Sequence, residues 1–188
     1  GDSTPNERNR PTTGLVGGIT RRLSGGRNSL AASIAAIHFE FVFVVWGPSF
    51  TDLLLKIAIP SHLAPGNLPS FRYRETSSYI IYTTSSDAEV ITASPAFGML
   101  SRHIHTEIRL IDDIDLSRNR YGIVSECQMR AITAAEGTET AFVWPYPDVI
   151  FADGAFTAIA NIAATGKRAI MCTGLTAVTA TSRMPSSA

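Results

Sequence analysis

The sequence predicts an α/β fold, with an open, mostly parallel, Rossmann-like sheet of about five strands flanked by helices. The first reason is that strand-type apolar runs alternate repeatedly with helix-type periodicity along the chain. The second is that the helical segments are long enough for the crossovers that parallel strands require. The third is size, because 188 residues, 45% of them hydrophobic, suffice for one buried core.

The first predicted strand comprises residues 39–46 (FEFVFVVW), where aromatic and β-branched residues put apolar groups on both faces. This pattern is typical of a central strand that is covered on both sides. A helix then begins at a cap, Ser49 or Thr51, and its apolar stripe runs to Ala58. Pro60 and then the loop 64–70 (APGNLPS) are expected to end this helix, since proline breaks the helical hydrogen-bond pattern.

The second predicted strand comprises residues 79–84 (YIIYTT). The segment 85–89 (SSDAE) supplies a cap and an acidic first turn for a helix that runs toward Arg102. Pro95 bends or restarts that helix. Residues 107–111 (EIRLI) form the third strand, which ends at a pair of aspartates.

The last predicted elements alternate in the same way. Residues 121–135 form a long amphipathic helix that Gly137 terminates. Residues 141–144 form the fourth strand, 155–164 a further helix and 167–172 (KRAIMC) the fifth strand.

The ends of the chain differ in composition from its centre. Residues 1–29 are rich in Gly, Ser, Thr, Asn and Pro and contain five arginines, which indicates a flexible basic leader. An export signal within 21–37 is the alternative, because basic residues precede a short apolar run there. Residues 30–175 are the predicted α/β domain, and residues 176–188 a flexible tail.

Charge and cysteine content exclude several classes of protein. The 16 basic and 16 acidic residues balance, so a dedicated nucleic-acid binder is not expected. Cys127 and Cys172 lack the spacing of a zinc site or a disulfide framework, which favours a reducing, cytoplasmic setting. The longest apolar stretch, residues 30–46, contains His38 and Glu40, so no stable membrane insertion is expected.

Candidate binding residues follow the predicted strands. In an open α/β sheet, ligands bind beyond the carboxyl ends of the strands. The residues at these positions that we select as a ligand-binding set are Trp46, Gly47, Pro48, Thr83, Thr84, Asp112 and Asp113. Neither GxGxxG nor GxxxxGK[ST] follows the first strand, which excludes classical dinucleotide oxidoreductases and P-loop NTPases. Helix capping, turn formation and packing are the alternative roles of these side chains.

The order of elements and the segment 131–159 (AITAAEGTETAFVWPYPDVIFADGAFTAI) resemble the nucleotide-binding half of GT-A glycosyltransferases, the nucleotide-diphospho-sugar transferase fold. In that family a strand finishes in a D-x-D motif, and the next helix starts near a glycine. Asp148 matches the second acidic position of the motif, whereas Tyr146 stands at the first. Asp153 falls where the next helix begins, and the resemblance covers residues 39–175.

This resemblance implies a protein that binds a nucleotide-diphosphate sugar through Mn²⁺ or Mg²⁺ and transfers the sugar to an acceptor. Asp148, with help from Asp153 or Asp112, would hold the metal, which bridges the two phosphates. The loop that follows the first strand would lie beside the base and ribose. Tyr146 in place of an aspartate leaves a metal-independent or an inactive variant open, and the short chain leaves a truncated product open.

Two other classes of function remain open. One is a non-catalytic α/β ligand-binding or interaction module, in which the aspartates are turn residues and Tyr146 is packing. The other is a small Rossmann-like enzyme that uses a different nucleotide.

Overall fold

A computed structural model describes residues 37–167, 169–171 and 175–176 of the chain. The predicted leader, residues 1–29, lies outside the described residues. So does the predicted tail, residues 176–188, except for Thr176.

Four parallel strands form the main sheet in the order β3-β2-β1-β4. The strands are β1 (His38–Val44), β2 (Ser78–Thr83), β3 (His105–Leu110) and β4 (Thr140–Val143). In the register of the sheet, Phe41 of β1 lies opposite Tyr79 of β2 on one side and Val143 of β4 on the other. The α/β class and the parallel, Rossmann-like sheet that the sequence predicts are therefore confirmed.

Helices connect the strands. They are α1 (Pro48–Leu53), α2 (Ile59–His62), α3 (Ser85–Thr92), α4 (Pro95–Leu100), α5 (Arg120–Ala134) and α6 (Ala155–Ala163), with short 3-10 turns at Leu68–Ser70 and Arg74–Thr76. Within the described part of the chain, no helix combines the length and apolar character needed to cross a membrane.

The two prolines in the helical segments act differently from each other. Pro60 itself does not end the first helical segment, because a π-helical stretch, Leu54–Ala58, leads from α1 into α2. The segment ends at His62, just before the predicted loop 64–70. A wider turn accommodates a proline ring that would clash with the carbonyl four residues earlier in a regular helix. Pro95 restarts the second helical segment, which is one of the two predicted alternatives. Ser94 caps the restarted helix, because its side chain accepts a hydrogen bond from the backbone N–H of Ala96.

The predicted fifth strand, residues 167–172, is not part of the described sheet. Residues 167 and 169–171 belong to neither a helix nor a strand, and the other two residues lie outside the described part. Met171 is 99% exposed, so this apolar side chain does not supply the burial that stabilises a central strand. Instead, β5 (Val149–Ile150) and β6 (Leu175–Thr176) form a short antiparallel ribbon that the sequence does not predict.

The sheet has a core on each face, because successive residues of a strand point to opposite sides. On β1, Phe41 belongs to the core beneath α2, α3, α4 and α6, whereas Val42 belongs to the core beneath α5. Cys127 of α5 is fully buried in this second core, where desolvation raises the pKa of its thiol to about 11. A buried thiol of this kind is inert, as the position of Cys127 on the inner face of the predicted helix indicates.

A loop contact fixes α6 on the first face. Asn67 is fully buried; its amide group donates to the carbonyls of Ser61 and Ala152, and its Oδ1 accepts from the backbone of Phe156. Beside it, the backbone N–H of Gly66 donates to Asp153 Oδ1 at 2.5 Å. The bond from Phe156 to Asn67 satisfies a backbone N–H in the first turn of α6 that no helical partner could satisfy.

We expect Gly66→Ala to destabilise the fold by about 1–3 kcal/mol, because the added methyl would overpack this contact. An ideal Cβ on Gly66 would lie 2.7 Å from Asp153 Oδ1 and 2.9 Å from the backbone nitrogen of Gly154. Chemical denaturation of the two proteins measures the difference. The matched control is Gly98→Ala in α4, where no atom beyond the adjoining residues and the helix's own backbone lies within 4 Å of the new Cβ; it should be neutral or stabilising. Equal stabilities of the two variants would contradict the prediction.

Candidate functional site

Asp87 connects the loops that follow β1 and β2. Its Oδ2 accepts from the backbone of Gly47 at 2.8 Å and from Thr84 Oγ1 at 2.8 Å, and its Oδ1 accepts from Thr51 Oγ1 at 3.0 Å. Burial by itself would raise the pKa of this carboxyl, but the hydrogen bonds from Gly47, Thr84 and Thr51 outweigh burial and lower it. Asp87 therefore stays ionised and holds the two loops together.

The aspartates after β3 are also bound within the protein. Asp112 accepts from the backbone of Ser85 at 3.0 and 3.1 Å and from Ser85 Oγ at 2.9 Å. Arg130 donates to both carboxylate oxygens of Asp113, at 2.7 and 3.1 Å, and to Glu126 at 2.9 Å. The hydrogen bonds from Arg130 lower the pKa of Asp113. The amino end of α3 thus already has a carboxylate partner.

The other candidate residues at this edge of the sheet differ in burial. Trp46 is half-buried and packs against the core beneath α5. Gly47 has a φ of 82° and precedes α1, whose first residue, Pro48, is exposed. Thr84 caps α3 by accepting from the backbone of Asp87, whereas the sequence places the cap one or two residues later. Thr83 is fully buried, and its Oγ1 has no hydrogen-bond partner in the described part of the chain.

A shallow surface depression lies where the strand order reverses, between β1 and β4. We call it the switch cleft. It is lined by residues of β1, of α5 and of the loop after β4, namely Val42, Val44, Val124, Gln128, Trp144, Pro145 and Tyr146. Crevices at this topological position bind ligands in open α/β sheets.

Aromatic rings form one side of the switch cleft. Trp144 stacks on Phe142, with ring centroids 4.9 Å apart and an angle of 12° between the planes. Tyr146 also borders the depression and is 54% exposed. An exposed ring beside apolar walls is a surface on which a planar ligand can stack.

Gln128 is the lining residue that the sequence reasoning missed. It lies one helical turn after Val124 on α5 and is half-buried. Its carboxamide makes no hydrogen bond with any described residue, although both a donor and an acceptor are present. The signal was a polar residue on the apolar stripe of a predicted helix, which is informative because inward positions are usually apolar.

The two aspartates predicted as metal ligands differ in their surroundings. Asp148 follows the switch cleft, is half-buried and makes no hydrogen bond with other described residues. Asp153 is exposed, and one of its oxygens accepts from Gly66 at the start of α6. No group of three or more His, Cys, Asp or Glu side chains that could hold a metal occurs among residues 37–167, 169–171 and 175–176. Mg²⁺ retains waters and binds through one or two carboxylates together with phosphate oxygens, so Asp148 can serve as one such ligand.

Comparison of the chain with protein-family models, with curated proteins and with solved structures finds no match.

Proposed function

We propose that the chain binds a nucleotide-diphosphate sugar at the carboxyl edge of its sheet, with the nucleoside in the switch cleft. The observation that supports this proposal is the position of the cleft at the reversal of strand order between β1 and β4. Apolar walls, an exposed tyrosine ring and one free carboxamide suit a planar heterocycle. Trp46, Gly47 and Pro48 end the neighbouring strand and would lie beside the ribose.

The diphosphate extends toward Asp148 in this proposal, because Asp148 follows Tyr146 by two residues and its oxygens accept no hydrogen bond from described residues. A divalent cation, Mn²⁺ or Mg²⁺, would be held by Asp148, with Asp153 as the second carboxylate that the GT-A resemblance suggests. The ion supplies positive charge to the diphosphate. Asp148 would supply the negative charge that holds the ion, whereas Asp112 and Asp113 are already paired within the chain.

Sugar transfer to an acceptor is the activity that the GT-A resemblance implies for such a complex. The cleft supports the binding step of that activity, since it offers ring-stacking and hydrogen-bonding groups.

A non-catalytic ligand-binding or interaction module is the second candidate, and a specific observation favours it. Asp87, Asp112, Asp113 and Asp153 all accept hydrogen bonds from within the chain. These aspartates thus have the structural roles in turns and caps that the module requires. Binding of a nucleotide sugar without transfer fits this candidate as well.

Calorimetry with UDP- and GDP-sugars, with and without Mn²⁺, tests the proposal. We expect nucleotide sugars to bind more tightly when Mn²⁺ is added. Asp148→Ala should lower the affinity measured with Mn²⁺ at least tenfold, which corresponds to about 1.4 kcal/mol of binding free energy. Asp52→Ala is the matched control, since Asp52 is an exposed carboxylate on α1 that pairs with Lys56.

The outcomes separate the candidates. Absence of binding by every nucleotide sugar, at any Mn²⁺ concentration, would overturn the proposal and leave the interaction module. If Asp148→Ala and Asp52→Ala change the affinity equally, Asp148 is not a ligand of the metal.

A further inference from the structure

We propose that residues 149–163 form an acid-sensitive unit, which separates from the loop 61–67 when His62 takes up a proton. We call these residues the docked segment; they comprise β5, α6 and the turn between them. The switch is a property of the fold and does not depend on nucleotide-sugar binding. Two observations support it: the enclosure around the imidazole of His62, and the kind of contact that holds the docked segment in place.

His62 lies where the sheet meets the docked segment. Its imidazole is fully buried, and its ring centroid lies 5.4 Å from that of Phe43 in β1. The centroids of Phe151 and Phe156, both in the docked segment, lie 5.3 and 5.1 Å away. Nδ1 is 3.0 Å from the hydroxyl of Tyr79, and Nε2 has no partner among the described residues. An imidazolium donates from both nitrogens, so this enclosure does not accommodate the charged form.

The groups around His62 do not offset a positive charge on it. Tyr79 is the titratable side chain in contact with the imidazole, and burial raises its pKa well above 10, so its hydroxyl stays neutral. The charged residues of the other elements that contact the imidazole are exposed or lie on the opposite face of the sheet from Phe43: Glu40 of β1, Asp52 and Lys56 of the helical segment, and Asp153 of the docked segment. Burial therefore lowers the pKa of His62 to about 3, and protonation near pH 6 requires an opening that admits water.

The docked segment is the wall of this enclosure that opens most easily. Phe43 and Tyr79 belong to β1 and β2, which pair with a neighbouring strand on both edges. In the described part of the chain, the docked segment pairs only with the two-residue strand β6. Phe151 is half-buried, whereas the rings of Phe43, Tyr79 and Phe156 are fully buried. The enclosure is therefore thinnest at the docked segment.

The hydrogen bonds between the docked segment and the loop 61–67 all involve a side chain. They join Ser61 to Phe151, Gly66 to Asp153 and Thr157, and Asn67 to Ala152 and Phe156. Water can replace such bonds when the two parts separate, because neither backbone is committed to a ladder with the other. Separation then hydrates the imidazole and leaves the four-stranded sheet intact.

Native-state hydrogen exchange on the full chain, at pH 7 and pH 5 and over a series of low urea concentrations, tests the switch. We expect the amides of α6 to exchange through an opening that costs less free energy and depends less on urea than the opening that exposes the amides of β1. As the pH falls below 6.5, the open form binds a proton that the closed form does not. After correction for intrinsic exchange rates, the opening constant of α6 should rise about 25-fold from pH 7 to pH 5.

Two variants identify the titrating group. His62→Gln keeps a hydrogen-bonding partner for Tyr79 and does not titrate, so the opening constant of α6 should be the same at both pH values. Asp153→Asn is the matched control, because it removes the carboxylate of the same contact and keeps an acceptor for the backbone N–H of Gly66. This control should retain the rise of about 25-fold.

Each outcome decides the question. If α6 opens locally but equally at pH 7 and pH 5, His62 stays enclosed during the opening and the switch does not exist. If the amides of α6 and β1 exchange with the same free energy and urea dependence, the docked segment is not a separate unit. If Asp153→Asn removes the pH effect and His62→Gln retains it, the carboxylate is the trigger and our assignment to His62 is wrong.

Discussion

Lowering the pH from 7 to 5 should reduce the free energy of unfolding by about 2 kcal/mol through a single side chain, His62. This histidine is fully buried at the end of α2. Its Nδ1 lies 3.0 Å from the hydroxyl of Tyr79, and its Nε2 has no hydrogen-bond partner among the described residues. Desolvation by burial lowers its pKa from 6.5 to about 3.

The aromatic rings around His62 account for this effect. The ring centroids of Phe43, Phe151 and Phe156 lie 5.1 to 5.4 Å from that of the imidazole. Tyr79 is the titratable group in contact with the imidazole, and burial raises its pKa well above 10, so it contributes no negative charge. A protonated imidazole would need both nitrogens to donate, and the described residues offer Nε2 no acceptor.

The direction of the pH effect follows from the two pKa values. Above pH 6.5 the histidine is neutral in the folded and the unfolded chain, so its contribution to the free energy of unfolding is fully present. As the pH falls from 6.5 toward 3, the unfolded chain binds a proton that the folded chain does not, and stability decreases. The loss amounts to about 1.4 kcal/mol for each pH unit in this range. Carboxylates with lowered pKa values lose their contributions only below about pH 4, so the range from pH 7 to 5 reports on His62.

Urea denaturation at pH 7 and at pH 5 measures the effect. His62→Gln keeps a hydrogen-bonding partner for Tyr79 and removes the titration, so the variant should lose most of the difference between the two pH values. His105→Gln, at an exposed histidine of β3, should retain the full difference. A pH-independent stability of the unaltered chain between 7 and 5 would show that His62 is not buried in solution as described.

The strands of the sheet could be predicted because their chemistry is local. The aromatic and β-branched run that contains Phe41 and Val42 has apolar groups on both faces, and the structure places each face against a separate core. The segment 167–172 has a similar but weaker pattern, and its described residues are not in a strand. A short apolar run becomes a strand only if a partner edge and a covering layer are available, which the run itself does not specify.

Buried polar residues could not be predicted, because their partners come from distant parts of the chain. Asn67 lies in a Pro- and Gly-rich segment that resembles an exposed loop, yet it is fully buried and bonds to residues 152 and 156. Asp87 has the position of a helix-capping residue, and only the fold brings Gly47 to its carboxylate. Strand order therefore predicts that the carboxyl edge of the sheet is the candidate site, whereas the hydrogen-bond partners of each aspartate depend on tertiary contacts.

Asp87→Ala should lower the free energy of unfolding by about 3 kcal/mol, because the substitution leaves three hydrogen-bond donors without their shared acceptor. Hydrogen bonds to a charged group contribute about 1.5–3 kcal/mol each, and partial hydration of Gly47, Thr51 and Thr84 would recover part of the loss. Asp87→Asn keeps the shape and one acceptor oxygen, so its cost should be about half as large. Guanidinium denaturation at pH 7 ranks the two variants.

Glu89→Ala is the matched control for Asp87, since it removes an exposed carboxylate from the same helix, α3. It should change stability by less than about 0.5 kcal/mol, as is usual for an exposed site without special contacts. Equal stabilities of the Asp87→Ala and Glu89→Ala variants would mean that the carboxylate of Asp87 does not join the two loops. A large loss only at Asp87 would instead show that this carboxylate stabilises the contact between the loops after β1 and β2.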